Sequence, residues 1–146
     1  TRRNVLVNEG RLESWLLDTY SGRKLGLPST GNASRGAGSG PGVGTTNLWI
    51  EAGSGSLEEI IADTDRGLLV TELIGMGFNP ITGDYSRGAS GLWVENGEIT
   101  HAINECTIAG NLRDMLRAMI PANDARTHLS RVVPSLLVPG MTLAGA

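Results

Sequence analysis

The chain has 146 residues, a formal net charge of −3, and contents of 40% hydrophobic and 18% charged residues. This length is enough to bury the core of one domain, and the negative charge gives no basic surface for nucleic acid. The single cysteine, Cys106, excludes an internal disulfide and favours a reducing cytoplasm. No apolar run approaches the roughly 20 residues of a membrane helix. Because the sequence opens at Thr1 without a methionine, we expect a piece cut from a longer protein.

The first part of the chain predicts short elements separated by turns. A strand at Asn4–Val7, a turn at Glu9-Gly10 and a second strand ending at Leu17 are followed by a short helical turn over Asp18–Leu25. The stretch from about residue 31 to 46 holds six glycines and no apolar periodicity, which predicts a mobile loop. A further strand is expected at Asn47–Ala52.

Helix signals appear twice in the second part of the chain. Ser56 and Glu59 have the spacing of a capping box, which predicts the start of a short helix. A second amphipathic helix, capped by Asn111, is predicted from apolar residues at helical spacing, namely Leu112, Met115, Leu116 and Met119.

Strand signals surround these helices. Asn96-Gly97 is a strong hairpin turn, and Pro134 and Pro139 interrupt the two closing apolar runs, which suits edge strands or bends. Central strands are expected at Gly67–Ile74, Gly91–Val94 and Glu98–Ile108. The chain is therefore predicted to be a single α+β domain, mostly antiparallel β with two or three short helices.

The loop between the first two central strands is the candidate binding site. Its polar residues are turn formers that bond their own backbone, so an ordinary turn and a binding surface are equally open readings. In the functional reading, Asp84 and Arg87 form a charge pair that orders the loop, and Tyr85 and Phe78 offer apolar contact. The candidate partner-binding or peptide-binding residues are Asn79, Thr82, Asp84, Tyr85, Ser86 and Arg87.

Catalytic and metal-binding chemistry finds no support in these residues. His101 and Cys106 are five apart on one predicted strand, so we expect them to point to opposite faces, roughly 16 Å apart, with Cys106 in the core. His101 and His128 are the only histidines and have no helical metal motif. The glycine-rich stretch lacks the spacing of a phosphate-binding loop. We assign no catalytic residue, metal ligand or cofactor to this chain.

Long segments of the sequence resemble the C-terminal domain of the PmbA/TldD family, and are closest to its PmbA (TldE) branch. The segment GLLVTELIGMGFNPITGDYSRGASGLWVENGEI, together with TIAGNLRDML, AND and PSLLVPGMTLAG, carries this resemblance. WLLDTYSGRKLGLPSTGNA and NLWIEAG extend it over essentially the whole chain. The resemblance implies a C-terminal β-rich domain of a longer protein and a role in proteolysis and peptide maturation.

Within the family, the resemblance implies a division of labour between two related subunits. A TldD-type subunit carries zinc on an HExxxH helix, and a PmbA-type subunit is its partner around a chamber that admits unfolded peptides. In the TldD branch a cysteine ligand lies near the chain end, whereas residues 130–137 here have none. Cys106 lies in a different segment and does not inherit that role.

Three hypotheses follow for the function. In the first, the chain belongs to the non-catalytic partner of a cytoplasmic zinc metallopeptidase, as a heterodimer with a TldD-like subunit or as a homodimer. Strand edges near Pro134 and Pro139 would then capture unfolded peptide. In the second, the chain belongs to a competent metallopeptidase whose metal motif lies upstream. In the third, it is a protein-binding regulator of the gyrase-modulator type. Neither nucleic acid nor a membrane is an expected partner.

Overall fold

The computed structural model describes residues 2–145, which form two compact units. The first runs to Trp49 and takes up the chain again at Thr127–Val132. The second holds Ile50–Arg126 and the residues from Val133 onward. Mostly antiparallel strands and three short helices confirm the predicted fold class, whereas the single-domain organisation and the mobility of the glycine-rich stretch stay predictions.

The first unit consists of one helix and three small ladders. Two antiparallel pairs are formed by β1 (Val7–Asn8) with β2 (Arg11–Leu12) and by β3 (Ala33–Ser34) with β4 (Gly42–Val43). One parallel pair is formed by β5 (Leu48–Trp49) with β10 (Arg131–Val132). The strands around Glu9-Gly10 are shorter than predicted, and the glycine-rich stretch contains the β3–β4 ladder.

Helix α1 (Thr19–Leu25) in this unit is fixed at both ends by its caps. The Asp18 carboxylate accepts a hydrogen bond from the Ser21 amide at 2.6 Å, which satisfies a free N–H of the first turn. Gly26 ends the helix in the left-handed region, with φ of 66°. The short helix predicted over Asp18–Leu25 is thus confirmed, with Asp18 as its cap.

The second unit is built on a four-stranded antiparallel sheet with the strand order β12-β8-β7-β6. Two helices and a two-stranded ladder accompany the sheet. The elements are α2 (Leu57–Ala62), β6 (Arg66–Ile74), β7 (Asp84–Glu95), β8 (Glu98–Asn111), α3 (Leu112–Ala118), β9 (Ile120–Pro121), β11 (Leu136–Leu137) and β12 (Thr142–Ala144).

The predicted helix caps and the hairpin turn of this unit are confirmed. Ser56 and Glu59 make both hydrogen bonds of the capping box, and the Asn111 side chain accepts from the Arg113 amide. Asn96 and Gly97 have φ of 51° and 80°, which suits a two-residue turn between Glu95 and Glu98.

Strands β7 and β8 are longer than predicted, and two bulges interrupt the register of β8 on β7. The pairing moves from Ala89–Cys106 to Gly91–Ile103, so Asn104 and Glu105 together face Ser90. Glu105 has φ of 55° at this bulge. A period-2 reading of β8 cannot predict such an insertion, and each bulge reverses which face the following side chains occupy.

One face of the sheet carries the buried cluster of this unit. Ala89, Ile103, Cys106 and Ile108 are buried there, packed against partly buried neighbours that include Trp93 and Leu143. The prediction that Cys106 is a small core residue is confirmed, since it is 1% exposed.

A carboxylate clamp holds the β9–β11 ladder. Asp124 accepts hydrogen bonds from both the amide and the hydroxyl of Ser135, each at 2.7 Å. The Ser135 hydroxyl, and then its amide, lower the pKa of Asp124 below its ordinary value of 3.8. The nearby Ala122 amide donates to the Ser135 carbonyl at 2.8 Å, so the clamp and the ladder support each other.

We expect Asp124→Asn to reduce the free energy of unfolding by about 1 kcal/mol at neutral pH, a value that allows for its exposure to solvent. A carboxyl whose folded-state pKa is lowered stabilises the fold above its unfolded pKa, and this contribution is lost as the pH falls through the folded value. The difference from the parent protein should therefore shrink below about pH 4. Urea unfolding at several pH values measures it. Exposed Asp114→Asn is the control, and a difference that does not depend on pH would contradict the role of the charge.

Candidate functional site

The candidate loop is the tip of the long β6–β7 hairpin. We call residues 75–83, which connect β6 to β7, the hairpin tip. Backbone pairing continues beyond β6, since the Ser86 amide donates to the Gly77 carbonyl at 2.7 Å and the Asn79 amide donates to the Asp84 carbonyl at 2.8 Å. Asp84, Tyr85, Ser86 and Arg87 therefore lie on β7 and not in a loop, and the turn itself spans residues 80–83.

Polar side chains of this hairpin tip form hydrogen bonds within the turn. The Asn79 Oδ1 accepts from the amides of Ile81 and Thr82, at 2.9 and 3.3 Å. The Thr82 hydroxyl donates to Asp84 Oδ2 at 2.7 Å. These contacts are those of a well-made turn, in which short polar side chains replace backbone partners.

The start of α3 anchors the hairpin tip. The Leu112 amide donates to the Gly83 carbonyl at 2.7 Å, and Asn111 Nδ2 donates to the Thr82 carbonyl at 3.2 Å. Asn111 also caps α3, so one side chain orders both the helix and the tip. The tip is consequently held in one place by the backbone of a neighbouring element.

Tyr85, Ser86 and Arg87 have separate environments. Tyr85 packs against the buried cluster, and Ser86 is exposed. An Arg87 Nη donates to the Leu73 carbonyl at 3.4 Å, and its Nε is buried.

The prediction of a charge pair between Asp84 and Arg87 is wrong, since the structure describes both residues and gives them other partners. Residues three apart on an extended strand point to opposite faces, so the two side chains leave β7 on opposite sides. Asp84 is bonded to Thr82, and Arg87 reaches Leu73 instead. The tip is ordered by Asn79 and Asn111, not by an ion pair.

Apolar side chains are what the hairpin tip presents to solvent. Met76 and Ile81 are 92% and 93% exposed, and Phe78 is 54% exposed. Three large apolar side chains on a rigid projection are unusual for a surface that contacts only water. Sequence reasoning selected polar residues of this segment, of which Asn79, Thr82, Asp84 and Ser86 are exposed, and it missed the exposed apolar side chains beside them.

The expectation that His101 and Cys106 face opposite ways is wrong. His101 pairs with Trp93 and Cys106 pairs with Ala89, and Trp93 and Ala89 lie four residues apart on β7. They therefore share a face, because the bulge at Asn104 and Glu105 inserts an extra residue between the two positions on β8.

Each of the two side chains has a separate partner despite the shared face. The Cys106 thiol donates to the Ala89 carbonyl at 3.2 Å, and His101 Nδ1 lies 3.0 Å from the Thr100 hydroxyl. A buried thiol bonded to a carbonyl has the environment of a structural cysteine, not of a nucleophile.

Cys106 should be almost inert towards a thiol reagent in the native protein, because its side chain is 1% exposed. Labelling with a disulfide reagent should become rapid only when urea unfolds the second unit. An engineered Thr107→Cys variant, exposed at the next position on β8, is the reactive control in a Cys106→Ser background. Fast native labelling of Cys106 itself would contradict this burial.

The described residues do not form a zinc site. They contain no group of three or more histidine, cysteine, aspartate or glutamate side chains able to hold a metal ion. His101 belongs to the second unit and His128 to the first.

A second feature, which sequence reasoning missed, is an apolar groove of about 230 Å³ in the second unit. We name it the α2 groove: it lies between α2, the sheet and β11, and its lining includes Leu57, Ile60, Ile61, Leu69, Val94 and Leu136. The capping box predicted the start of α2. Which strands lie opposite that side could not be read from the sequence.

Comparison with known proteins identifies the family. A model of the PmbA/TldA metallopeptidase C-terminal domain matches residues 1–145. The chain belongs to the PmbA/TldD family. It is 47% identical to the metalloprotease PmbA of Escherichia coli O157:H7, over 99% of this chain and 30% of that protein. The resemblance seen in the sequence is thereby confirmed.

Two solved structures of PmbA/TldD relatives share the fold. TldE from Thermococcus kodakarensis is 31% identical, with a TM-score of 0.87 over 99% of this chain and 34% of that one. A protein from Thermotoga maritima, named for modulation of a DNA gyrase, is 38% identical, with a TM-score of 0.79 over 91% of this chain and 31% of that one. The chain spans about a third of the length of these relatives.

One relative from the TldD branch is less similar to this chain. A metalloprotease TldD homolog from Buchnera aphidicola is 26% identical over 84% of this chain and 26% of that protein.

No helix among residues 2–145 is long and apolar enough to cross a membrane.

Proposed function

We propose that this chain belongs to the PmbA-type, non-catalytic subunit of a TldD/TldE-type zinc metallopeptidase that acts on unfolded peptides in the cytoplasm. One observation carries the proposal: identity is 47% to a PmbA protein but 26% to a TldD homolog. Zinc would be held by a TldD-type partner, since residues 130–137 here lack the cysteine that the TldD branch carries near its chain end.

The hairpin tip is the proposed surface for the partner subunit. Met76, Phe78 and Ile81 are exposed, while Asn79 and Asn111 hold the turn in place, so binding would cost little ordering of the backbone. A preorganised apolar anchor suits a protein interface, where burial of large side chains provides most of the affinity.

Peptide capture in the proposed complex would use a strand edge. The sequence favoured edges near Pro134 and Pro139, where the structure has β11 and β12, of two and three residues. Among residues 2–145, the longer of the two edge strands of the sheet is instead β6, with nine residues. An unpaired edge offers backbone donors and acceptors to an extended peptide of any sequence.

Co-expression of the full-length protein with a TldD-type subunit from the same organism tests the partner role. We expect an equimolar complex that holds zinc in the TldD-type subunit and cleaves an unfolded peptide, with no cleavage by the present protein alone. Stoichiometric zinc and peptidase activity in the isolated full-length protein would instead support the competent metallopeptidase with an upstream motif. Recovery of gyrase without a TldD-type subunit would support the regulator.

Met76→Asp combined with Ile81→Asp tests the tip as the interface. The two side chains are more than nine-tenths exposed, so the fold should be retained while association weakens about tenfold or more. Sedimentation velocity of the subunit mixture measures this. Ile99→Asp, at a 47% exposed position on β8, is the matched control. Equal weakening by both changes would contradict a specific role for the tip.

A further inference from the structure

A pocket of about 340 Å³ lies on the sheet face that carries the buried cluster, and we name it the Trp93 pocket. All four strands of the sheet and the residue after β12 contribute to its lining, which consists of Arg66, Trp93, His101, Ile103, Leu143 and Gly145. Ile103 is buried, and Trp93 and Leu143 are partly buried. Arg66 and His101 are exposed and form the rim. The pocket therefore has an apolar floor and nitrogen donors above it.

Strand register places the rim and the floor of the Trp93 pocket on one face of the sheet. Trp93 is paired directly with Leu68 of β6 and with His101 of β8. Arg66 lies two residues before Leu68 on β6, and residues two apart on a strand share a face. Ile103 belongs to the buried cluster of that face. A ligand above Trp93 can thus contact both the cationic and the apolar side chains.

Arg66 supplies a cationic donor at the rim. Its guanidinium lies over the Trp93 ring, with Cζ 5.8 Å from the ring centroid. A guanidinium in this position keeps N–H donors along its edge, and these match the two oxygens of a carboxylate. Glu95 is the cross-strand neighbour of Arg66 and is paired with Glu98, but neither glutamate lines the pocket. The lining itself therefore contains cationic groups and no acidic one.

The hydrogen bonds of Thr100 decide which ring nitrogen of His101 carries a proton. The Thr100 hydroxyl donates its one hydrogen to the Trp93 carbonyl at 3.3 Å, and the same oxygen lies 3.0 Å from His101 Nδ1. We therefore assign Nδ1 as a donor to this oxygen, so Nε2 of the neutral ring carries a lone pair. Protonation of the ring turns Nε2 into a charged donor, which attracts a carboxylate instead of repelling it.

The charge around the Trp93 pocket changes near neutral pH through His101. The nearest other charged residues on β6, β7 and β8 are Arg66, Glu95, Glu98 and Glu105, and β12 has none. Arginine and glutamate side chains keep their charges between pH 6 and 8, whereas histidine side chains lose theirs in this range. The pocket should therefore attract an anion more strongly at pH 6 than at pH 8.

We propose that the Trp93 pocket binds the free C-terminal carboxylate of a peptide that ends in a branched aliphatic residue, more tightly when His101 is protonated. The carboxylate lies against Arg66 and His101, and the aliphatic side chain lies against Trp93 and Ile103. Peptide hydrolysis creates ends of this kind. The inference rests on the proposed function for a peptide as the natural ligand, and it deepens that function by naming the end of the peptide that is recognised.

Matched peptides test the carboxylate on the full-length protein. An acetylated tetrapeptide that ends in leucine is prepared as the free acid and as the C-terminal amide, and the acetyl group removes the titrating amine. Isothermal titration calorimetry at pH 6 should give the acid an affinity about fivefold higher than the amide. At pH 8 the acid should bind about threefold more weakly than at pH 6, while the amide is unchanged. Equal affinities of acid and amide, or no binding at millimolar peptide, would overturn the inference.

Neutral substitutions at the rim provide the matched protein variants. Arg66→Gln should remove most of the preference for the acid, whereas Arg113→Gln, at an exposed position on α3, should not. His101→Gln should abolish the fall in acid affinity between pH 6 and 8, whereas His128→Gln, in the other unit, should retain it. All four side chains are exposed, so the fold should be kept. An acid preference that survives Arg66→Gln, or a pH dependence that survives His101→Gln, would overturn the inference.

The compound 4-methylpentanoate, which is leucine without its amino group, distinguishes a peptide end from a free aliphatic acid. We expect it to bind several-fold more weakly than the peptide acid, because it lacks the backbone groups that can bond to the free edge of β12 beside Gly145. Equal affinity of the two acids would overturn a peptide as the ligand.

The proposed function is tested separately, by association with a TldD-type subunit. A complex that forms and cleaves peptide, while acid and amide bind equally, overturns the present inference alone. A preference for the acid without any subunit association supports the inference and contradicts the partner role.

Discussion

Gly91→Ala is expected to lower the free energy of unfolding by about 3 kcal/mol, with a fall in melting temperature on the order of 10 °C. Gly91 is buried in the middle of β7, directly opposite Val70 of β6. A Cβ atom there would collide with the Leu69 carbonyl oxygen and lie 3.0 Å from the Leu69 carbonyl carbon and 3.1 Å from the Val70 Cα. Because these are backbone atoms, only a shift of β6 relieves the collision.

Gly88→Ala is the matched control for this change. It lies on the same strand, and its added Cβ would meet Ile74 atoms at 3.2 Å or more, a contact that a small adjustment accommodates. We expect a change within about 1 kcal/mol, since alanine also restricts the unfolded chain. Urea unfolding of both variants measures the difference. Equal losses would show that the strand tolerates no alanine and that the approach of β6 to Gly91 is not the cause.

Gly97→Ala should destabilise the protein by about 2.5 kcal/mol, from two separate causes. Gly97 has φ of 80°, a conformation that costs alanine roughly 1–2 kcal/mol. The added Cβ would also lie 2.6 Å from the Ala62 carbonyl oxygen at the end of α2. The β7–β8 turn is thus packed against a helix as well as being a tight turn.

Gly75→Ala separates the strain from the contact. Gly75 has φ of 73°, and no atom lies within 4 Å of its added Cβ, so only the backbone strain of roughly 1 kcal/mol is expected. The difference between the two variants in thermal or urea unfolding then measures the contact with Ala62. If Gly75→Ala were as damaging as Gly97→Ala, the turn at Gly97 would have no packing role.

Local signals in the sequence were sufficient for the ends of most elements. Ser56 with Glu59, Asn111, and Asn96-Gly97 each fix a cap or a turn through hydrogen bonds and dihedral angles within a few residues. The same locality explains Gly26 at the end of α1. The capping hydrogen bonds and the turn dihedral angles arise within a few residues, and the structure reproduces them.

Local signals in the sequence did not predict strand register or strand length. The bulge that places Asn104 and Glu105 opposite Ser90 reverses the faces of β8, and it is decided by pairing with a strand more than ten residues away. The extension of β7 back to Asp84 likewise depends on pairing with β8 up to Asn111. Apolar periodicity marks neither of these features, because both strands are rich in glycine and polar residues there.

The candidate site, like the fold, was predicted from the sequence only in part. The sequence predicted a loop from Asn79 to Arg87, whereas the turn spans only residues 80–83 and Asp84–Arg87 lie on β7. The side chains of Asn79 and Thr82 form hydrogen bonds within the turn, and the hairpin tip also exposes the apolar Met76, Phe78 and Ile81. The sequence cannot show which side chains form hydrogen bonds around a turn. Here those bonds depend on how the Gly83 and Thr82 carbonyls lie relative to the start of α3.

The sequence by itself determined the family, the fold class, the caps and the turns, because each of these is carried by residue identity at short spacing or by long matching segments. Only the tertiary structure decided the common face of His101 and Cys106, the loss of the Asp84–Arg87 pair, and the groove between α2, β6 and β11. Each of these brings together residues that lie on different strands or helices. Their distances are set by strand register and packing, which are properties of the whole second unit.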